Sequence, residues 1–417
     1  MRLGKKSIVA AGLTIGLSMA VGAMVHAQQT PPAKPPGRVM KPAKLASRPP
    51  AATEALPPSQ IGIGTLARQA YLIDATTDTV LLFKDADKPM VPSSMAKMMT
   101  IYIVFEELKA GRLKLDTKFR VSERARAMGG SRMFVEVGSE ISVDDLIKGI
   151  ITLSGNDACV VVAEGMSGTE DSFAARMTRK ARELGMANST FKNASGWPAE
   201  GQLVTARDMA TLAKRTILDF PDHYRYYAVT EFAWNNIRQE NRNRLLNITP
   251  GTDGLKTGHT EEAGYGLTAS TSRDGRRLIL VVNGLNDMRA RASESARLTE
   301  WGFREYTNRT AFRTGDTVLE VDVWLGEAKK VPLVTARTIA ATVPAGQEGQ
   351  VRVTVQYDGP VKAPIRRGDQ IGKAVVTSAP GARPVEYPLF AGADVPRLGA
   401  LGRAVGVLRH YLFGWVG

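Results

Sequence analysis

The sequence predicts an α+β domain followed by a small all-β domain. Three observations carry that reading. Apolar residues recur at helical spacing in stretches between residues 94 and 166. Short runs with strand character lie on either side, at 71–83 and 266–283. Past about Phe303, strict two-residue alternation takes over. At 417 residues the chain exceeds one average domain, and 43% hydrophobic with 23% charged residues is an ordinary globular balance.

The first segment reads as a leader. Arg2, Lys5 and Lys6 precede an apolar run from Ile8 to Val25, and Val25-His26-Ala27 closes it with small outer residues. This is the pattern of a signal peptide over residues 1–27, cleaved after Ala27. The run is short for a retained anchor. Residues 28–58, rich in Pro, Ala and Lys, read as an extended, semi-rigid tether.

Ordered structure is expected from near Ile61, within a catalytic domain spanning 59–304. Tyr71–Asp74 and Val80–Phe83, split by a polar turn, predict a hairpin. Met95, Met98, Met99, Tyr102, Ile103, Phe105 and Leu108 predict a helix from Ser94 to about Ala110, stopped by Gly111. Val143–Leu153 and Asp157–Met166 predict two more helices, with Ser154-Gly155-Asn156 in the turn between them. Gly266–Ser270 and Leu278–Asn283 predict strands around a turn at Arg273. In the small β-rich domain, 305–393, Val351, Val353, Val355 and Tyr357 alternate with Arg352, Thr354 and Gln356. In the tail, 394–417, Leu398, Leu401, Val405, Leu408, Leu412 and Trp415 form one helical stripe. Three arginines and four interior glycines argue against spanning a bilayer, so the tail reads as an amphipathic helix lying on a membrane surface.

The single cysteine, Cys159, excludes an intramolecular disulfide. Net charge is +14, or +11 without the leader's three cations, which suits an anionic membrane face or polymer. No nucleic-acid motif is present.

Three strings carry the chemistry: Ser94-Met95-Ala96-Lys97, Ser154-Gly155-Asn156 and Lys256-Thr257-Gly258. Ser94 at a helix start can present Oγ to a cleft, but a hydroxyl attacks only when a base takes its proton. Lys97 lies one turn on, on the same face, and serves as base if burial and a neighbouring cation lower its pKa. Lys256 is the expected cation. Ser154 is placed to relay a proton between Lys97 and a leaving nitrogen, Gly155 to leave room for a substrate backbone. Asn156 is placed to hold Lys97 and meet the substrate amide. Lys256 and Thr257 can bind a carboxylate, Gly258 permits close approach, and the His259 amide with that of Ser94 can form an oxyanion hole. No histidine is placed for a Ser-His-Asp triad, and no metal or cofactor is implied. Each string alone is weak; in this order and spacing they act together.

Longer matches extend the pattern: Pro92–Thr100, Ser154–Cys159, Asn241–Leu246 and Gly254–Thr260. On these the chain resembles the serine-type D-alanyl-D-alanine carboxypeptidases of the low-molecular-mass penicillin-binding proteins, closely over about 59–304. The resemblance implies a penicillin-binding/β-lactamase-like transpeptidase domain, an antiparallel sheet with helices. It implies Ser94 as acyl-ester nucleophile, Lys97 as proton acceptor, Ser154 as second serine and Lys256 as substrate lysine. Arg242 matches an arginine near the substrate carboxylate, and Cys159 a cysteine near the site. The family's arginine after the glycine near Gly284 is replaced here by Leu285 and Asn286.

The implied reaction removes the terminal D-alanine from peptidoglycan pentapeptide stems, with β-lactams as covalent inhibitors. The implied location is the periplasmic face of a bacterial inner membrane, held peripherally by the C-terminal helix. A D,D-endopeptidase cutting cross-bridges and a catalytically silent wall-scaffold protein are the competing readings. A β-lactamase lacks support because no acidic loop motif stands between Asn156 and Lys256.

Overall fold

The computed structural model describes residues 62–347, 349, 351–378, 384–402, 404, 405 and 407, with the backbone of 7–8 and 11–14. Two compact units emerge: Gln60–Thr307, and Met1–Ser59 with Asn308–Gly417.

The first unit is built on five strands: β1 (Gln69–Asp74), β2 (Thr79–Lys84), β3 (Thr252–Thr260), β4 (Gly264–Arg273) and β5 (Arg276–Leu285). They run in the order β2-β1-β5-β4-β3, every neighbouring pair antiparallel. The predicted hairpin is β1–β2. The turn expected at Arg273 joins β4 to β5 through Asp274 and Gly275, both left-handed at φ 50° and 77°, as a two-residue hairpin with the strands' own twist requires.

β5 is covered on both faces. Leu278, Leu280 and Val282 join one apolar cluster and Ile279 and Val281 another, the period-2 alternation of a strand between two layers. One layer is α6 (Met288–Glu305), whose Leu298 packs with the first set. The other is a helical lobe: α1 (Lys97–Lys109), α2 (Val143–Ile151), α3 (Asn156–Ser167), α4 (Glu170–Glu183) and α5 (Ala206–Asp219). Ser142, Thr169, Thr205 and Asp287 cap α2, α4, α5 and α6 by accepting an orphan N–H of the first turn. In α1 every residue from Lys97 to Phe105 is buried. A helix apolar all round belongs inside, and that placement draws a lysine into the interior.

In the second unit β6 (Tyr306–Phe312) pairs with β9 (Ile339–Pro344), while β10 (Arg352–Gly359), β11 (Gln370–Thr377), β12 (Val385–Ala391), β8 (Lys330–Thr335) and β7 (Thr317–Trp324) form an antiparallel run in that order. Val353 and Val355 of β10 are buried and Arg352 is exposed, as the alternation predicts. Ser7–Ile8 and Ala11–Thr14, inside the expected leader, run antiparallel beside β10. The tether at 28–58 lies outside the described residues. Of the tail stripe, Leu401 and Val405 are helical and exposed, and Leu408, Leu412 and Trp415 lie outside the described residues. Among the described residues no helix is long and apolar enough to cross a membrane.

Candidate active site

Ser94 lies in a 3-10 turn, Ser93–Ala96, that feeds directly into α1. Lys97 opens α1, and its Nζ donates to Ser94 Oγ at 2.9 Å. Two further acceptors surround it: Asn156 Oδ1 at 2.7 Å and the Ser195 carbonyl at 2.6 Å. A neutral amine keeps two N–H bonds and one lone pair. With the two hydrogens committed to Asn156 and Ser195, the lone pair faces Ser94. Burial, complete for this side chain, lowers the Lys97 pKa to about 8, against the pull of nearby anionic groups; Arg242 adds to the lowering. Arg242 is thus a cation beside the expected Lys256, whose repulsion with Lys97 is mutual. Lys97 in turn weighs on Lys256, which burial holds well below the usual lysine range, with Arg242 and Arg291 contributing.

The Ser195 carbonyl belongs to a turn that none of the three strings announced. Asn193 Oδ1 accepts from the amides of Ser195, Gly196 and Trp197 at 3.3, 2.8 and 3.0 Å. Glu170 accepts from the Ala194 amide at 3.1 Å, and Thr100 Oγ donates to the Ala194 carbonyl at 2.6 Å. Gly196 is left-handed, φ 79°, and a Cβ there would sit 1.8 Å from the Ser93 carbonyl; only glycine lets the turn press against the residue before Ser94. The signal available in the sequence was Asn193 ahead of Ser195-Gly196, a side-chain-closed turn.

Ser154 is buried and left-handed at φ 60°, a backbone state that costs a non-glycine residue on the order of 1–3 kcal/mol. Asn156 opens α3; its Nδ2 donates to the Gly129 carbonyl at 2.8 Å and its amide to the Ser131 carbonyl at 2.8 Å. Gly155 does not clear space for a substrate. A Cβ there would meet Asp157 Oδ1 at 2.9 Å and Met133 at 3.2 Å, so the glycine makes room for a protein loop. The buried Asp157 carboxylate ties that loop down, accepting from the amides of Met133 and Phe134 at 2.8 Å and Val135 at 3.3 Å, besides that of Ala158 at 2.9 Å. Sequence reasoning passed over Asp157, which is local in the chain but acts on residues two dozen positions away.

β3 forms the opposite edge. Gly258 brings it against the Ser93–Ala96 turn: an added Cβ would stand 3.0 Å from the Pro92 carbonyl. Lys256 and Thr257 are buried, and Lys256 Nζ donates to the Thr257 carbonyl at 3.3 Å. The exposed His259 ring lies on Tyr265, centroids 3.9 Å apart, opposite it in the β3–β4 register. The Arg242 guanidinium donates to Ser131 Oγ, tying its segment to the loop at 129–131. Leu285 and Asn286 stand where the resemblance expects an arginine, and the preceding Gly284 packs against Arg68. A buried guanidinium not foreseen from sequence, Arg291, donates to the Arg242 carbonyl at 3.3 Å and lies 5.7 Å over Tyr265. Cys159 is fully buried and its thiol is pushed up to about 12 by that burial, so it is chemically inert packing. Among the described residues no group of three or more His, Cys, Asp and Glu could hold a metal ion.

The D-alanyl-D-alanine carboxypeptidase family matches residues 55–287, and the C-terminal domain of penicillin-binding protein 5 matches 306–397. The chain is 37% identical to the D-alanyl-D-alanine carboxypeptidase DacC of Escherichia coli over 84% of its own length and 90% of that protein's. The structure of penicillin binding protein 5 from Haemophilus influenzae aligns with a TM-score of 0.74 at 32% identity, covering 82% of this chain and all of that one. Penicillin-Binding Protein D2 from Listeria monocytogenes in an ampicillin-bound form aligns at 0.54 and 28% identity, over 58% of this chain and all of that one.

Proposed function

The chain belongs to the D-alanyl-D-alanine carboxypeptidase family, and from that premise we propose that it cleaves the terminal D-alanine from peptidoglycan pentapeptide stems through an acyl-enzyme on Ser94. The observation that carries the reading is the fully buried Lys97 with two fixed acceptors and its third direction on Ser94 Oγ.

In the first step Ser94 Oγ attacks the carbonyl between the two D-alanines while its proton passes to Lys97 Nζ. The oxyanion is met by the amides of Ser94 and His259, each such donor commonly worth about 3–4 kcal/mol. The substrate carboxylate is met by Lys256, Thr257 and Arg242. Lys97 returns the proton through Ser154 to the leaving nitrogen, D-alanine departs, and the acyl group stays on Ser94. Water, deprotonated by Lys97, then releases the tetrapeptide. β-Lactams enter the same first step, and their acyl group persists. The leader-like pattern of residues 1–27, the basic balance and the exposed Leu401 and Val405 of the tail support action outside the cytoplasm against a membrane surface.

A labelled penicillin tests the nucleophile. Wild type is expected to take up one covalent equivalent and Ser94→Ala none. Covalent uptake by Ser94→Ala would falsify the assignment.

A further inference from the structure

Trp197 stands at the rim of the cleft, on the same turn that offers Ser195 to Lys97. Its backbone is fixed: the N–H donates to Asn193 Oδ1 at 3.0 Å, and the carbonyl accepts from Asn193 Nδ2 at 2.8 Å and Gln202 Nε2 at 2.7 Å. Trp197 as a whole is nevertheless 45% exposed. A lone exposed aromatic is ordinary, but this one has a definite neighbour. A Cβ built on Gly130 would lie 3.0 Å from the indole and 2.9 Å from Asn156 Nδ2, so indole and carboxamide flank one glycine.

The segment 129–131 also gives the direction along the cleft. Trp197 covers Gly129 and Gly130, Asn156 binds the carbonyls of Gly129 and Ser131, and Arg242 holds Ser131 Oγ. Arg242 marks the end that takes the leaving D-alanine's carboxylate. The indole lies against Gly129 and Gly130, on the side of this segment away from the Ser131 hydroxyl that Arg242 holds, and that side is read as the acyl end. A peptide lying extended along this segment advances about 3.3 Å per residue, so its course away from Arg242 runs toward the indole.

Resting on the carboxypeptidase reading, we propose that Trp197 is a specificity-determining residue whose indole receives the side chain of the residue preceding the D-alanyl-D-alanine pair. A chain of methylenes gains by covering the exposed ring. A lysine gains in the same way, with its ammonium attracted to the negative ring face. Glycine offers nothing to cover the ring, and a carboxylate meets its negative face unfavourably.

The test uses the full mature protein and four N-acetylated peptides, X-D-Ala-D-Ala with X as Lys, norleucine, Gly or Glu. D-Alanine release gives kcat/KM for wild type, Trp197→Ala and Trp197→Phe, with covalent penicillin uptake checking that each variant is folded. Wild type is expected to prefer Lys and norleucine over Gly by roughly tenfold, the scale at which apolar pockets discriminate. In Trp197→Ala that ratio is expected to fall below about twofold, and in Trp197→Phe to recover. A Trp197→Ala that is slower on all four peptides by one common factor overturns the proposal, as does a wild type without preference. Penicillin uptake without D-alanine release from any peptide overturns the carboxypeptidase reading itself.

Discussion

Lys97 acquires its chemistry from its place in α1. A lysine at the surface stays protonated near neutral pH, because its ordinary pKa is about 10.4. Burial on a helix apolar all round brings Lys97 down to about 8, so at pH 7 roughly a tenth of the molecules hold the free amine that can take the Ser94 proton. The sign follows directly: only the unprotonated form acts, so rate rises with pH until the amine is free. The second-order rate of penicillin acylation is expected to climb about tenfold per pH unit below 8 and to flatten above it. A rate still climbing at pH 10 would mean a lysine of ordinary basicity. This dependence was legible only in part. The Ser94–Lys97 pair was evident from spacing and Lys256 was the expected cation, but the part of Arg242, which also weighs on Lys97, was not read.

Between elements, two irregular segments carry the site. The 193–197 turn reaches Lys97 from 98 residues away and Asn156 reaches it from 59. Periodicity found α1, α2 and α3 and strands β1, β2, β4 and β5, because each records its burial within its own residues, though not α4, α5 or α6. It could not find these segments, whose order comes from side chains accepting backbone amides across the fold. Asp157 is the clearest case. Its carboxylate holds three loop amides and one of α3, and hydrogen bonds to a charged acceptor are worth about 1.5–3 kcal/mol. Asp157→Ala is expected to lower unfolding stability by about 3 kcal/mol or more and to slow penicillin acylation at least about tenfold, because Asn156 loses its Ser131 anchor. Thermal melting together with acylation kinetics checks this. A variant that melts with wild type would show that the loop is held by other contacts. In the β-domain, alternation marked the strand around Val353 and Val355 and its buried face, while most of the other strands were not read one by one.

Across the whole molecule, the chain combines a basic balance, +14 over 417 residues, with a tail whose Leu401 and Val405 face solvent. Apolar residues exposed on one helical stripe beside arginines suit an anionic membrane surface. The mature protein is expected to sediment with anionic vesicles and a form ending before residue 394 to stay in solution; equal sedimentation of both would remove the tail from that role. The central claim concerns the bond that Ser94 attacks, and mass analysis of a muramyl pentapeptide incubated with the mature protein tests it most directly. Loss of a single alanine with wild type, and an intact pentapeptide with Ser94→Ala, is the expected result. An intact pentapeptide with wild type, or alanine released equally by Ser94→Ala, would contradict it.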